Sequence, residues 1–207
     1  MAADRVRTVA FDVMDTVLVD PFREALTAAT GLTPAQLFAR RDPELYPAFE
    51  RGEIDEATYW ARHAERGLDV DPSRFHAVRR ARTDWIDGMR ELLDDLDGLV
   101  ERVTASNYPV WIEELTGTHL AERFETVLAS HHLGVRKPDP AFFERLLDRL
   151  GRCVDEVLFV DDRERNVEAA RQVGLRAHRF TDATALRRWL AAQGLTIAVP
   201  GAGSSRR

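Results

Sequence analysis

The sequence predicts an α/β protein with a doubly wound parallel sheet and an all-helical cap inserted after strand 1. Three observations predict it: short apolar runs recur along the chain, helical patterns alternate with the later runs, and one early segment contains helical patterns only. Alternation of this kind is typical of Rossmann-like sheets. A chain of 207 residues is long enough for one such domain with a sizeable insertion.

Five buried strands are predicted from runs of apolar and β-branched residues. The runs cover residues 6–11, 99–105, 126–129, 157–160 and 175–180. Helices are predicted between the later runs, over residues 109–116, 140–150 and 163–173. Strand and helix therefore alternate over the second half of the chain.

The segment of residues 21–85 has no strand-like run. It contains five capped helical patterns, at residues 21–30, 34–41, 43–51, 56–66 and 72–84. We predict a core domain of residues 1–20 and 86–200, a helical cap of residues 21–85 and a disordered tail of residues 201–207. An insertion after strand 1 lies above the crevice where such sheets bind ligands, so the cap can act as a lid. A bundle that only stabilises the core is the alternative.

Composition restricts the partners and the compartment. The 29 basic and 35 acidic residues give a net charge of −6, which favours a small-molecule partner over nucleic acid. The single cysteine, Cys153, excludes an intramolecular disulfide and predicts a cytoplasmic protein. No apolar run is long enough to span a membrane, and the first residues lack the apolar core of a signal peptide. The oligomeric state is not predicted.

Polar residues suited to catalysis follow the predicted strands. In chain order they are Asp12 with Asp15 and Thr16, Ser106 with Asn107, Lys137, and Asp161 with Asp162. The carboxyl ends of parallel strands meet at one crevice, so these groups are expected to converge. Carboxylate oxygens suit Mg²⁺, and the ammonium and hydroxyl groups suit phosphoryl oxygens. Phosphoryl transfer is therefore the leading reaction class.

Lysine is nearly absent from the sequence. Of the 29 basic residues, 28 are arginines and only Lys137 is a lysine. An ammonium is a compact point charge, whereas a guanidinium is a planar fork, so a lysine that screens a carboxylate nucleophile would not tolerate replacement by arginine. The alternative is a compositional accident in an arginine-rich chain.

Four ordered motifs, FDVMDTV, ASNYP, RKPDP and VDDRERNVEAA, resemble those of the haloacid dehalogenase-like superfamily over nearly the whole chain. The resemblance implies that Asp12 is a nucleophile that becomes an aspartyl-phosphate. It implies that Ser106 hydrogen-bonds the phosphoryl group and that Lys137 neutralises it. We assign Asn107 and Thr16 to substrate binding together with Ser106.

The same resemblance implies Mg²⁺ as the cofactor. The implied ligands are the carboxylates of Asp12, Asp161 and Asp162 and the backbone carbonyl of Met14. Superfamily dehalogenases lack a metal-binding acidic pair, so Asp161 and Asp162 favour magnesium and phosphate.

Position 14 departs from the superfamily pattern. Most of its phosphatases have a second aspartate there, which protonates the leaving alcohol, but Met14 can transfer no proton. Loss of a general acid typically costs about 10²–10⁴-fold in rate. Asp15 is the nearest replacement and is assigned to catalysis, and the alternative is that Asp15 only braces the loop.

A closer resemblance involves the segments FDVMDT, DPF, IDE, DGM, NYPVW, RKPDP and DDRERNVEAA, which are similar to plant-type flavin mononucleotide (FMN) hydrolases. That family shares the methionine. The resemblance implies FMN as the substrate, cleaved to riboflavin and phosphate. Aromatic residues are available to stack on its isoalloxazine ring, namely Phe22, Tyr59, Trp60, Tyr108 and Trp111.

Three function classes remain open. The first is a Mg²⁺-dependent phosphomonoester hydrolase acting on a small phosphorylated metabolite. The second is a carbon–halogen hydrolase that uses the same nucleophile without metal. The third is a phosphate-ligand-binding protein with weakened catalysis, suggested only by Met14. The presence of both Asp12 and Lys137 argues against the third class, because a protein that only binds needs no nucleophile.

Overall fold

The computed structural model describes residues 6–198 and contains one parallel sheet in that range. Its strands are β1 (Thr8–Phe11), β2 (Glu101–Thr104), β3 (Val157–Asp161) and β4 (Arg176–Arg179), in the spatial order β2-β1-β3-β4. All residues of β1 and β3 are buried, which explains why apolar and β-branched residues dominate both strands. The predicted α/β class with a parallel sheet is confirmed.

The predicted strand at residues 126–129 is not a regular strand. It forms only isolated bridges beside β2, such as Val103 opposite Thr126. The Thr104 hydroxyl donates to the Leu128 carbonyl at 2.9 Å and accepts from the Leu128 N–H at 2.9 Å. Because a side chain takes the place of backbone ladder bonds, the segment lies along the sheet edge without a continuous ladder.

Five helices follow β1 and form the cap segment. They are α1 (Phe22–Thr30), α2 (Pro34–Arg40), α3 (Leu45–Glu50), α4 (Glu56–Glu65) and α5 (Pro72–Arg82). Thr33, Asp55 and Asp71 accept hydrogen bonds from N–H groups in the first turns of α2, α4 and α5. All five predicted cap helices are therefore present, each slightly shorter than predicted.

Six further α-helices lie in the rest of the chain that the structure describes. They are α6 (Met89–Asp95), α7 (Ile112–Leu115), α8 (Ser130–Leu133), α9 (Pro140–Leu150), α10 (Glu164–Gln172) and α11 (Ala183–Ala192). A π-helical segment, Thr116–Leu120, continues α7, and a 3₁₀ turn, Val154–Glu156, precedes β3. α6, α8 and α11 were not predicted. No helix within residues 6–198 is both long and apolar enough to cross a bilayer.

Two apolar clusters pack against the sheet, and alternate residues of β1 contribute to each. One cluster continues into the cap. The Trp111 ring lies 5.0 Å from that of Phe49 and 5.1 Å from that of Phe75, measured between centroids. These aromatic contacts join the cap helices to the loop after β2. The predicted tail, residues 201–207, lies outside the described residues.

Candidate active site

Asp12 directly follows β1 and is only 6% exposed. Its Oδ1 accepts a hydrogen bond from the Ser106 hydroxyl at 2.9 Å and lies 3.0 Å from Nζ of Lys137. No residue in the range 6–198 donates a hydrogen bond to Oδ2. The structure therefore brings together the predicted nucleophile and the two groups predicted to contact a phosphoryl group.

Lys137 is fully buried between two carboxylates. Its Nζ donates to Oδ2 of Asp161 at 2.6 Å and lies close to Asp12. The Asn107 side chain holds the Lys137 backbone, accepting from its N–H at 2.8 Å and donating to its carbonyl at 2.9 Å. A guanidinium in this enclosed position would bring five donors in a planar fork, more than the two carboxylates are placed to accept. The packing thus favours a lysine at this position, and Asn107 holds its backbone in place.

Three carboxylates at the carboxyl ends of β1 and β3 form a cluster suited to a cation. One oxygen each from Asp12, Asp161 and Asp162 lies within 4.8 Å of the others. Oδ1 of Asp162 is buried without a hydrogen-bond partner in the described chain. An orphaned carboxylate oxygen in such a cluster fits a hard dication such as Mg²⁺. The Met14 carbonyl accepts no backbone hydrogen bond from residues 6–198, which is compatible with its predicted role as a ligand.

The electrostatics of the cluster also favour a cation. Burial raises the pKa of Asp12 to about 7; Lys137 opposes this shift, and Asp161 and Asp162 add to it. Burial, followed by the charge of Asp161, raises the pKa of Asp162. Burial alone would lower the pKa of Lys137, but the charges of Asp12 and Asp161 raise it, so the ammonium stays protonated. Three carboxylates around one ammonium leave excess negative charge, which a dication would offset.

Of the three predicted site residues in the loop after Asp12, two line the crevice and one does not. Met14 lines the crevice and is 7% exposed. Asp15 also lines the crevice, with a left-handed φ of 58°, and its Oδ1 accepts from the Asp20 N–H at 3.1 Å. That contact braces the loop, while proton transfer by Asp15 stays a prediction. Thr16 is fully buried with an unpartnered hydroxyl among the described residues and does not line the crevice.

Three residues that hold the site together were not predicted from the sequence. Asn166 is buried in α10, and its Nδ2 donates to both oxygens of Asp161 at 2.9 and 3.0 Å. Arg136 donates through Nε to the buried Glu50 at 2.7 Å and so joins the loop before Lys137 to α3. Asn166 lies within the fourth motif, a signal that could have found it. Arg136 and Glu50 are 86 positions apart, and no local pattern links them.

A cavity of about 470 Å³ opens onto Asp12 and Lys137. Of the aromatic residues predicted to be available for stacking, Phe22 and Tyr108 line it. Trp60 and Trp111 instead stack on each other at 5.9 Å inside the aromatic cluster between cap and core.

Comparison with known proteins identifies the family. The family model described as haloacid dehalogenase-like hydrolase matches residues 6–174. A chloroplast flavin mononucleotide hydrolase from Arabidopsis thaliana is 32% identical over 192 residues, which cover 92% of this chain and 78% of that protein. The chain belongs to the haloacid dehalogenase-like hydrolases. A sesquiterpene phosphatase from Aspergillus oryzae is also 32% identical, over 69% of this chain and 75% of its own length.

Solved structures of haloacid dehalogenase-like proteins share the fold. One enzyme from Bacteroides thetaiotaomicron, solved with magnesium and inorganic phosphate, has a TM-score of 0.71 at 17% identity, covering 86% of this chain and 95% of its own. The L-2-haloacid dehalogenase of Xanthobacter autotrophicus has a TM-score of 0.59 at 20% identity, covering 90% of this chain and 83% of its own. The predicted superfamily, fold and assignment as a hydrolase are therefore confirmed.

Proposed function

We propose that this haloacid dehalogenase-like hydrolase is a Mg²⁺-dependent phosphomonoesterase that acts through an aspartyl-phosphate on Asp12, with FMN as its substrate. The observation that carries the reaction is the buried contact of Ser106 and Lys137 with one oxygen of Asp12. The neighbouring carboxylates of Asp161 and Asp162 are suited to hold the metal. The structure of the Bacteroides relative contains magnesium and phosphate, which supports the same cofactor here.

The proposed reaction has two displacements at phosphorus. In the first, Oδ2 of Asp12 forms a bond to phosphorus while the bond to the leaving oxygen breaks, and that oxygen takes up a proton. Ser106 and Lys137 donate hydrogen bonds that stabilise the charge developing on the phosphoryl oxygens. In the second, water attacks phosphorus and loses a proton, and phosphate leaves as the Asp12 carboxylate is restored. Mg²⁺, when bound, supplies positive charge that screens the carboxylates and the phosphoryl group.

Two alternative functions can be distinguished from the proposed phosphatase by experiment. A carbon–halogen hydrolase would release halide from 2-haloacids without Mg²⁺, and the likeness to a dehalogenase structure at 20% identity shows only the fold. A binding protein with weakened catalysis would bind phosphate ligands without turnover. The acidic cluster of Asp12, Asp161 and Asp162 supports the metal-dependent phosphatase over both.

FMN is proposed on the basis of the Arabidopsis relative, whose similarity extends over 92% of this chain and so includes the cap. Phe22 and Tyr108 in the cavity offer aromatic surface close to the reaction centre. A cap that binds a large ring contributes binding energy far from phosphorus and excludes water when it closes. The ribityl phosphate would then reach Asp12 while the ring lies against the cap.

The test of this proposal is a comparison of kcat/KM with Mg²⁺ present. FMN is expected to exceed small sugar phosphates, nucleotides and pyridoxal phosphate. FAD, whose flavin-side phosphate lies within a pyrophosphate and is not a terminal monoester, is expected to be a poor substrate. If a member of the panel exceeds FMN by about tenfold, a difference of roughly 1.4 kcal/mol in transition-state binding, the flavin assignment fails while the phosphatase assignment stands.

Met14→Asp is expected to raise the rate for alkyl phosphates by about tenfold or more, because it restores a general acid beside the leaving oxygen. The rate for p-nitrophenyl phosphate is expected to change less, since its leaving group needs little protonation. Steady-state kcat for the two ester classes is the measurement, with Met14→Asn as the matched variant that cannot supply a proton. An equal change for both classes, with chemistry rate-limiting, would count against this role of position 14.

We also propose a small phosphorylated metabolite as the partner and the cytoplasm as the compartment. The net charge of −6 and the single cysteine support these assignments. The Arabidopsis relative is a chloroplast protein, so its location does not carry over directly.

A further inference from the structure

A second cavity lies in the cap and borders the first. Its volume is about 590 Å³, within the range of cavities that hold drug-sized molecules. Most of its lining comes from α1, α2, α3 and α4, and Arg136 and Arg165 contribute from outside the cap segment. Five residues line both cavities: Phe22, Arg23, Arg41, Tyr46 and Arg136. A molecule bound at Asp12 can therefore extend past the Phe22–Tyr46 ring pair, whose centroids are 4.8 Å apart, toward the cap cavity.

The lining of the cap cavity is mixed, with an aromatic residue at its rim. Leu26, Leu37 and Pro47 contribute aliphatic surface. The charged residues of the lining are Arg23, Arg41, Asp42, Arg136 and Arg165. The Phe38 side chain lines the cavity although the residue is 64% exposed, and the Arg41 guanidinium lies 4.1 Å from its ring centroid. An exposed phenylalanine at the rim of a cavity is a surface on which a flat ring can stack.

His63, a buried polar side chain without a hydrogen-bond partner in the described part of the chain, also lines this cavity. His63 on α4 is 6% exposed, and neither ring nitrogen forms a hydrogen bond within residues 6–198. Burial lowers the pKa of His63, with Asp42 opposing this shift and Arg66 adding to it, so the ring is neutral near pH 7. A neutral imidazole has one donor and one acceptor. Because buried polar groups are nearly always hydrogen-bonded, these two atoms point to a polar ligand.

We propose that the cap cavity binds the leaving group of the substrate as a planar heteroaromatic ring, with the aliphatic and aromatic lining residues against the ring faces and His63 hydrogen-bonded to its polar edge. This inference rests on the proposed phosphatase function. The isoalloxazine ring of FMN has the required character, since it is flat, largely apolar and carries both donors and acceptors along one edge. The alternative leaving group is an isoprenoid chain, as in the substrate class of the Aspergillus sesquiterpene phosphatase. Such a chain would fill the cavity but leave His63 without a hydrogen-bond partner.

The experiment measures binding of riboflavin, which has the ring but no phosphate and so reports on the cap cavity without catalysis. Riboflavin is expected to bind the wild-type chain, by fluorescence quenching, and to compete with p-nitrophenyl phosphate. His63→Leu is expected to weaken riboflavin binding at least about tenfold, because the polar edge of the ring would lose its buried partner. His63→Gln, which keeps a donor and an acceptor, is expected to restore part of the affinity.

Kinetics separate a binding role of His63 from a merely structural one. In His63→Leu, kcat/KM for FMN is expected to fall at least about tenfold further than kcat/KM for p-nitrophenyl phosphate, mainly through KM. The matched control is His178→Leu, since Nε2 of His178 is also buried and unpartnered in the described chain but lies on β4, outside both cavities. It is expected to leave riboflavin binding unchanged.

If His63→Leu does not fold, Thr27→Trp tests the same cavity, because it places an indole where the ring would lie. Loss of riboflavin binding in that variant supports the proposal. Wild-type chain that binds no riboflavin, equal binding by wild type and His63→Leu, or tighter binding of a sesquiterpene alcohol than of riboflavin would overturn it. Failure of the phosphatase proposal is read separately, as no phosphate release from any ester with Mg²⁺.

Discussion

Asp12→Asn is expected to abolish phosphate release, with kcat reduced by about 10⁴-fold or more, because an amide cannot form the aspartyl-phosphate. The shape of the site should survive, since Ser106 and Lys137 can still contact the amide oxygen. Phosphate release from FMN and from p-nitrophenyl phosphate is the measurement. Circular dichroism checks that the fold is intact.

A control variant and a binding experiment test whether the loss of activity is specific to Asp12. Asp148→Asn, the same change at an exposed position on α9, is the matched control and should keep full activity. The phosphoryl analogue beryllium fluoride should bind wild-type chain only with Mg²⁺ and should not bind Asp12→Asn. Activity above a few per cent of wild type in that variant would rule out the covalent route.

The same variant has an expected stability signature in metal-free buffer. Folding raises the pKa of Asp12 from 3.8 to about 7, mainly through burial. The unfolded chain therefore releases this proton at lower pH than the folded chain, and the free energy of unfolding falls as the pH rises between those values. The amide in Asp12→Asn does not titrate, so the variant does not lose stability in this way. The difference in Tm, variant minus wild type, should therefore be more positive at pH 8 than at pH 4.

Lys137→Arg is expected to reduce kcat by about 10²-fold or more, although the charge is kept. The reason is the enclosure of Nζ, which lies 2.6 Å from Asp161 and 3.0 Å from Asp12 in a fully buried position. A guanidinium there would displace one of the two carboxylates or leave donors unpaired. Phosphate release at saturating substrate and Mg²⁺ is the measurement.

The control for Lys137→Arg is the opposite exchange at an exposed position on α9, Arg149→Lys, which should have no effect on rate. Lys137→Met is expected to be less stable as well as inactive, because it leaves buried carboxylates without their ammonium. Near-wild-type rates in Lys137→Arg would show that the single lysine is a compositional accident.

Strands and helices differed in how well the sequence predicted them. β1 and β3 are buried along their whole length, so their signal is a run dominated by apolar and β-branched residues. α6 begins at Gly88 without a side-chain cap, and α8 is a single turn, so neither has a strong local signal. α11 begins after a capping aspartate, Asp182, which is a local start signal, although no helix was predicted there. The irregular segment beside β2 depends on one hydroxyl, that of Thr104, which no periodicity reveals.

Residue type and order were enough to identify the family and the groups at the crevice. Asp12 and Asp161 were predictable because they stand at strand ends, and Lys137 because it is the only lysine. The contacts among these groups were decided by tertiary packing. Asn107 holds the backbone of Lys137 from 30 positions away, and Arg136 holds Glu50 from 86. The His63 ring has no hydrogen-bond partner among residues 6–198. Long-range hydrogen bonds such as those of Asn107 and Arg136 depend on how distant segments lie against one another. Local periodicity carries no information about that arrangement.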